Sequence, residues 1–250
     1  MNKEYVQQYV QLEKEHWWFV VRQKILFNFL SKQLIVKPQN ILNIGAAGGE
    51  SSRWLSAFGK VTSVENEPLF VEFLTAQNIE VINANIVDMP FEDSSFDLVC
   101  AFDVIEHVEQ DTYAMKEMVR VCKPNGEICI AVPACNILWS KHDKVNGHFR
   151  RYSKAMLKSL GDEFVMLKQE DVTYFNTMLF FPILIARKIR NLFLKDKSIL
   201  ESDFTYFMNN SILNYTLKKI FSIDFFLLKF MKLPFGVSLV SVWKKLDSNK

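Results

Sequence analysis

Four short clusters in this chain hold residue types able to do chemistry. Asp103-Val104-Ile105-Glu106-His107 gathers two carboxyls and an imidazole within five residues, a combination suited to drawing a proton from a hydroxyl or phenol. The stretch from Lys141 to Tyr152 carries His142, His148, Arg150, Arg151 and Tyr152, and two arginines beside aromatic rings suit recognition of phosphate or carboxylate. Gly45-Ala46-Ala47-Gly48-Gly49 concentrates three of the chain's eight glycines. Small side chains let a backbone approach a ligand closely, and a loop that opens a helix offers free N–H groups. Near the start, His16-Trp17-Trp18-Phe19 precedes Arg22.

The elements that must position these clusters follow from periodicity. Residues 3–14 and 20–34 read as helices around the aromatic knot at 16–19, and Pro38 stops the second. Strands are expected at 40–44, 61–65, 80–84, 96–102 and 127–132, alternating with helices at 50–58, 68–77 and 110–122. Gly59 is expected to cap the first of these helices, and Gly126 to take the left-handed position in the turn Lys123-Pro124-Asn125-Gly126. Strands alternating with helices of this length predict βαβ units and a parallel sheet covered on both faces. A short helix at 153–160 and strands at 164–173 and 238–245 complete the core.

Ligands of an open parallel sheet bind at the carboxyl ends of its strands. The glycine cluster ends the first strand there, and Glu65 ends the second, where a carboxylate can accept hydrogen bonds from ribose hydroxyls. That pairing fits a nicotinamide dinucleotide or S-adenosylmethionine (SAM). The loop reads GxxGG rather than GxGxxG, which counts against the nicotinamide reading.

Ile41-Leu42-Asn43-Ile44-Gly45-Ala46-Ala47-Gly48-Gly49 resembles motif I of the class I SAM-dependent methyltransferases. Val64-Glu65 resembles their ribose-binding acidic position, and Asn83 to Phe91 the segment whose first half lines the adenine pocket. Ser95-Phe96-Asp97-Leu98-Val99 resembles their fourth strand, and Val121 to Glu127 the turn before the fifth. His16-Trp17-Trp18-Phe19 with Arg22, and Gly147 to Ser153, are similar to signatures of a branch tied to surface-polysaccharide or lipid-linked substrates.

The resemblance implies a Rossmann-like α/β fold with a seven-stranded sheet, N-terminal helices and a helical insertion before the last strand. It implies SAM as cofactor, held by Asn43, Gly45, Ala46, Ala47 and Gly49 on the loop, and by Glu65 and Asn66 at the second strand. Asn85 and Ile86 belong to the adenine side, Phe102 to the end of the fourth strand, and Arg22 meets the methionine carboxylate. Asn43 stands where the motif usually opens with Asp, Ala47 replaces its middle glycine, and Asn85 replaces the adenine-side Asp. A left-handed Ala47 would cost about 1 kcal/mol.

Asp103, Glu106 and His107 are the expected catalytic group. They resemble the ExxEH pattern of ubiquinone-pathway O-methyltransferases, which that family links to a divalent metal; no residue is assigned to a metal from this sequence. His107 as general base, as a packed or capping side chain, and as a metal ligand all remain open. His16, Trp17, His148, Arg150, Arg151 and Tyr152 are the expected substrate contacts. Trp17 and Trp18 fit a core or a ligand platform equally well.

Thirty basic against twenty-eight acidic residues give a net charge of +2, with no field that calls for nucleic acid. Four cysteines, none in CxxC spacing, and the polar start Asn2-Lys3-Glu4 predict reduced thiols in a cytoplasmic protein. The domain reading is lid helices at 1–37, a SAM-binding core at 38–175, an insertion at 176–236 and a final strand and tail at 237–250. The insertion carries nine Lys/Arg against four Asp/Glu, with Arg187-Lys188-Ile189-Arg190 next to an apolar run. Basic charge beside an apolar helix face is expected of a peripheral membrane contact; a lid over the substrate pocket and a dimer surface are the other readings. The longest uncharged run, Val172 to Ala186, has fifteen residues, short of the ~20 a spanning helix needs. The expected activity is methyl transfer to a small-molecule, lipid-linked or polysaccharide-related acceptor, at oxygen. A nicotinamide-dependent oxidoreductase and a SAM-binding membrane-associated protein without turnover are the rivals.

Overall fold

The computed structural model describes residues 2–34, 36–193 and 211–247. Seven strands, β1 (Asn40–Ile44), β2 (Lys60–Glu65), β3 (Val81–Asn83), β4 (Phe96–Phe102), β5 (Cys122–Pro133), β6 (Leu167–Phe175) and β7 (Ser238–Lys245), form one sheet. Their order is β3-β2-β1-β4-β5-β7-β6, with β7 antiparallel to both neighbours. This is the expected Rossmann-like α/β sheet. β1, β2, β4 and β5 are parallel, so their carboxyl ends share one edge. Pro133 of β5 and Phe175 of β6 both register with Ser238 of β7, which brings the ends of β5 and β6 to that same edge.

Alternation along the strands fills two cores. Leu42, Ile44, Val99, Ala101, Ile128 and Ile130 face α5 (Asp111–Val121) through Ala114, Met115 and Met118. The intervening Ile41, Leu98, Cys100 and Cys129 face α2 (Trp17–Gln33) through Val21, Ile25, Leu26 and Leu30. All four cysteines are free thiols. Burying one aliphatic side chain is worth about 1.5–3 kcal/mol, so both helices are held firmly on the sheet.

Several boundaries differ from the sequence reading for physical reasons. α1 (Lys3–Glu15) and α2 are separated only by His16, whose side chain accepts from the Trp18 N–H; Trp17 to Phe19 therefore lie inside α2. α3 (Glu50–Leu55) ends in right-handed Ser56, so Gly59 is not its cap. A Cβ at residue 59 would lie 2.3 Å from the Pro38 carbonyl oxygen, which is what excludes a side chain there. Near the start of β5, where its register with β4 shifts after Cys122, Asn125 takes the left-handed position with φ 63°. Gly126 is instead required by crowding, since its Cβ would meet Cys122 Sγ at 2.9 Å. β6 runs to Phe175, two residues beyond the expected end.

α4 (Pro68–Ala76), α6 (Lys141–Val145) and α7 (Lys154–Asp162) complete the core. Between β6 and β7 lie α8 (Phe180–Phe193) and α9 (Ser211–Leu227); the part of the expected insertion at 194–210 is outside the described residues. α9 packs on α2: the Trp17 and Phe221 rings meet at 5.8 Å, and Asn214 Oδ1 accepts from the Trp17 backbone N–H at 2.7 Å. Among the described residues no helix is long and apolar enough to cross a membrane.

Candidate active site

The loop after β1 is built for close approach. Gly45 and Gly49 have φ of 72° and 89°, and Ala47 is left-handed at 43° as its motif position required. A Cβ on residue 45 would strike Val104 Cγ2 at 2.4 Å. Glu65 ties this loop to the end of β2: Oε2 accepts from the Ala47 N–H and Oε1 from the Glu67 N–H, both at 2.9 Å. A carboxylate has about four acceptor sites, so Glu65 keeps capacity for a ligand.

A cavity of about 910 Å³ opens beside this loop and continues across the sheet edge to β7. Arg22, Gly45, Ala47, Glu65, Asn66, Asn85, Ile86 and Phe102 line it, together with Asp103, Glu106, His107, His16, Trp17, His148 and Arg151. Asn43, Ala46 and Gly49 do not. Asn43 is fully buried and donates through Nδ2 to Ser51 and Ser52 Oγ, both at 2.9 Å; it braces α3 against β1 from beneath the loop.

Asp103 belongs with Arg22 rather than with Glu106. The two form an ion pair in the cavity wall. The guanidinium lies 5.0 Å from the Trp18 ring and 5.9 Å from that of Phe102, a stacked arrangement that arginine tolerates well. Asp103 is itself left-handed, at φ 58°.

Deeper in, Glu106 is fully buried and neither carboxyl oxygen has a partner among the described residues. Burial first, and Asp103 nearby, push its pKa well up, which disfavours the ionised carboxylate. His107 stands edge-on to His148, ring centroids 4.8 Å apart. Burial first, and then His148, lower the His107 pKa, which leaves a neutral imidazole. His148 Nδ1 lies 3.0 Å from Asp143 Oδ1, to which Arg151 Nε donates at 2.8 Å. Burial opposes ionisation of Asp143, but His148, Arg151 and Arg187 hold its pKa well below the carboxylate range.

Glu106, His107 and His148 can each offer one ligand atom within 4.8 Å of the others. Two imidazoles and a carboxylate suit a first-row divalent cation, and the His148–Asp143 contact is the usual support for a liganding histidine. This set differs from the acidic pair Asp103 and Glu106, because Asp103 is engaged by Arg22.

The basic-aromatic segment divides by alternation. Tyr152 bridges to Ala134 in extended backbone, so neighbours point opposite ways. Arg151 faces the cavity, whereas Arg150 and Tyr152 turn to Asp111: Arg150 pairs with it at 2.7 Å, and the Tyr152 hydroxyl donates to it at 2.7 Å. Neither lines the cavity, which corrects both as expected substrate contacts. His16 lines it and is lowered by burial to a pKa of about 4. Trp17 is at once cavity wall and core.

Three lining residues were not expected in the site, one of them, Arg187, having been expected instead in a basic cluster at a membrane surface. Glu13 comes from α1, Arg187 from α8, and Asn176 from the end of β6. Arg187 turns inward, donating to the Leu138 carbonyl at 2.6 Å. Asn176 is fully buried at φ 62°, with neither side-chain atom partnered among the described residues. Asp224 of α9 fixes its turn by accepting from the Thr177 and Met178 N–H groups at 2.6 and 3.2 Å. A buried, unsatisfied amide in a strained backbone is a mark of a functional position, and the lone Asn after a strand was its only trace in the sequence.

Residues 42–130 match the model of a methyltransferase domain family. A probable S-adenosylmethionine-dependent methyltransferase of Mycobacterium tuberculosis is 25% identical over 125 residues, 49% of this chain and 44% of that protein. A demethylmenaquinone methyltransferase of Bacillus cereus is 36% identical over 58 residues, 23% and 24% of the two chains. Over residues 42–130 the chain thus matches a methyltransferase domain, and the curated relatives it resembles include a probable SAM-dependent methyltransferase. It spans about half the length, or less, of these curated relatives. Among solved structures, a chain of the complex containing the Haloferax volcanii Trm112 methyltransferase activator superposes with TM-score 0.64 at 13% identity, covering 99% of this chain and 96% of that one. At that identity the likeness concerns the fold. The relative from Mycobacterium tuberculosis is described as SAM-dependent, and the loop, Glu65 and the Asn85–Ile86 wall are the groups of this cavity that could face such a cofactor.

Proposed function

We propose that this chain transfers the methyl group of SAM to an oxygen of a lipid-linked or polysaccharide-related acceptor. One observation carries the reading: a single cavity joins the Glu65-latched glycine loop to a neutral His107 beside Glu106 and His148. Its volume of about 910 Å³ is at the upper end of the ~300–1,000 Å³ usual for small-molecule sites, which suits a cofactor and an acceptor together.

When bound, SAM supplies an electrophilic methyl on sulfur, and the hard chemistry is its own. The protein's share is alignment, exclusion of water and handling of one proton. Glu65, Asn66, Asn85 and Ile86 suit the adenosine end, and Arg22 suits a carboxylate. His107, uncharged, can take the acceptor's hydroxyl proton on a ring nitrogen. Asp143 orients His148, which packs against His107 and limits its motion. Asn176, offering both a donor and an acceptor, suits a hydroxyl-bearing acceptor on the β6–β7 side.

The insertion favours an acceptor met at a membrane surface. Phe181, Ile185 and Ile189 form an exposed stripe on α8, and Ile212, Tyr215 and Phe226 are exposed on α9. Such amphipathic helices can lie in an interface without spanning it, giving a cytoplasmic protein with peripheral membrane contact. Incubation with methyl-labelled SAM and fractionated cell lipids and glycans tests the whole reading. Label should pass into a lipid or glycan fraction; SAM binding with no transfer to any fraction would favour a non-catalytic SAM-binding protein, and NAD binding without SAM binding a nicotinamide enzyme.

A second reading of the acid cluster is favoured by the 4.8 Å grouping of Glu106, His107 and His148. A divalent cation held there would lower the pKa of an acceptor hydroxyl. Activity abolished by a chelator and restored by a metal ion would select it over a general base.

A further inference from the structure

Glu13 has no role in the proton handling described above, yet it is one of the most unusual groups in the cavity wall. It projects from α1 toward the glycine loop, is 7% exposed, and lines the cavity. A Cβ on Gly48 would lie 2.3 Å from Glu13 Oε2, and the Glu50 N–H approaches the same oxygen at 3.4 Å. That long contact is its only side-chain hydrogen bond among the described residues, and it makes no ion pair there. The charged groups facing it are Arg22 from α2 and Glu50 and Arg53 from α3, with Tyr9 on its own helix. Arg53 is paired with Glu50 at 2.7 Å, and Arg22 with Asp103. Neither nearby guanidinium is paired with Glu13, and Arg22 spends only part of its fork on Asp103.

A carboxyl buried without a cation is costly when ionised. Its neighbours do not meet that cost, whereas a cationic ligand group in the cavity would. The same wall carries Arg22, so α1 and α2 together present an acid and a base to the space beside the glycine loop. We infer that Glu13 is a cofactor-recognition residue that holds the α-ammonium group of the methionine moiety, with Arg22 taking its carboxylate. The inference rests on the SAM reading of the site. It explains why the N-terminal helices reach the loop at all: they supply the zwitterion-binding charges that the strands of the sheet do not.

Burial raises the Glu13 pKa to about 8, so near pH 7 it is mostly protonated. Ammonium binding favours the carboxylate, and the proton leaves to solvent; binding is therefore coupled to release of about one proton. Tyr9 stays neutral because burial raises its pKa.

Calorimetry of the full chain and its Glu13→Gln variant with three ligands decides the matter. SAM carries the amino acid and the sulfonium, S-adenosylhomocysteine only the amino acid, and 5′-methylthioadenosine neither. Glu13→Gln should weaken SAM and S-adenosylhomocysteine alike by about 10- to 100-fold, and methylthioadenosine by less than about 3-fold. Titrations in buffers of different ionisation enthalpy should show proton release with the wild type and none with the variant. Loss confined to SAM would put the sulfonium, not the ammonium, at Glu13. Equal loss for all three ligands would reduce Glu13 to a latch between α1 and the loop, and no loss would remove it from the site. Should the variant fail to fold, Glu13→Asp offers the same comparison with the charge kept and the reach shortened. If the wild type binds none of the three, the SAM reading itself fails and takes this inference with it.

Discussion

Replacing Glu65 probes the cofactor site most directly. In the folded protein its two oxygens satisfy the Ala47 and Glu67 N–H groups, each at 2.9 Å, and the residue is 9% exposed. Glu65→Ala leaves both donors without their partner. A stranded buried donor costs about 1–3 kcal/mol, but these border a cavity that water can enter, so the ligand-free protein should lose about 1–3 kcal/mol in total. The bound state loses more, because a ribose hydroxyl also forfeits a charged acceptor worth about 1.5–3 kcal/mol, or roughly 10- to 150-fold in affinity. Glu65→Gln is not a mild substitute. Its NH2 must face one of the two N–H groups, donor against donor, and that displaces either the loop at Ala47 or the turn at Glu67. Both variants should therefore bind S-adenosylhomocysteine at least about 10-fold more weakly in calorimetry, with lowered urea midpoints. Affinity within about 2-fold of wild type, in a variant whose midpoint has fallen as expected, would show that Glu65 only braces the loop.

His107→Ala should lower turnover by about 10²–10⁴-fold with cofactor affinity nearly intact. Because burial lowers the His107 pKa below its ordinary 6.5, the wild-type rate should rise with pH through an inflection below that value and then level off; an inflection above it would exclude neutral His107 as the base. Asn176→Ala removes two unpartnered buried polar atoms at the expense of a less tolerant residue at φ 62°, so ligand-free stability should change by no more than about 1 kcal/mol while acceptor turnover falls and S-adenosylhomocysteine still binds; a urea midpoint lowered by more than about 2 kcal/mol equivalent would make Asn176 structural. Flotation with anionic and neutral liposomes should show salt-sensitive binding to the anionic ones, weakened in Lys188→Gln by about 1 kcal/mol and further in Ile185→Ser. Arg187 is unsuitable for that test because it points inward, and a protein left in the soluble fraction with both liposome types at low salt would make the insertion a lid or dimer surface.

The sequence by itself determined what depends on near neighbours. Short, mostly apolar runs placed β1, β4 and β7 to their observed ends, as expected of strands buried on both faces. The glycine cluster followed by a helix, with Glu65 closing the next strand, marked the nucleotide-binding edge, because parallel topology leaves those ends adjacent. The family signature fell within that same stretch. Tertiary structure alone decided which of several adjacent chemical residues face the ligand. Asp103 and Glu106 are close in sequence, but Arg22, arriving on α2, takes the first, while burial raises the pKa of the second. Arg150 and Arg151 are neighbours sent in opposite directions by one extended bridge to Ala134. Glu13, Asn176 and Arg187 enter the cavity from three elements remote in the chain. Local periodicity fixes which face of its own element a side chain occupies; what lies across from that face is set by packing between distant segments, and that packing places the charges in the active-site wall.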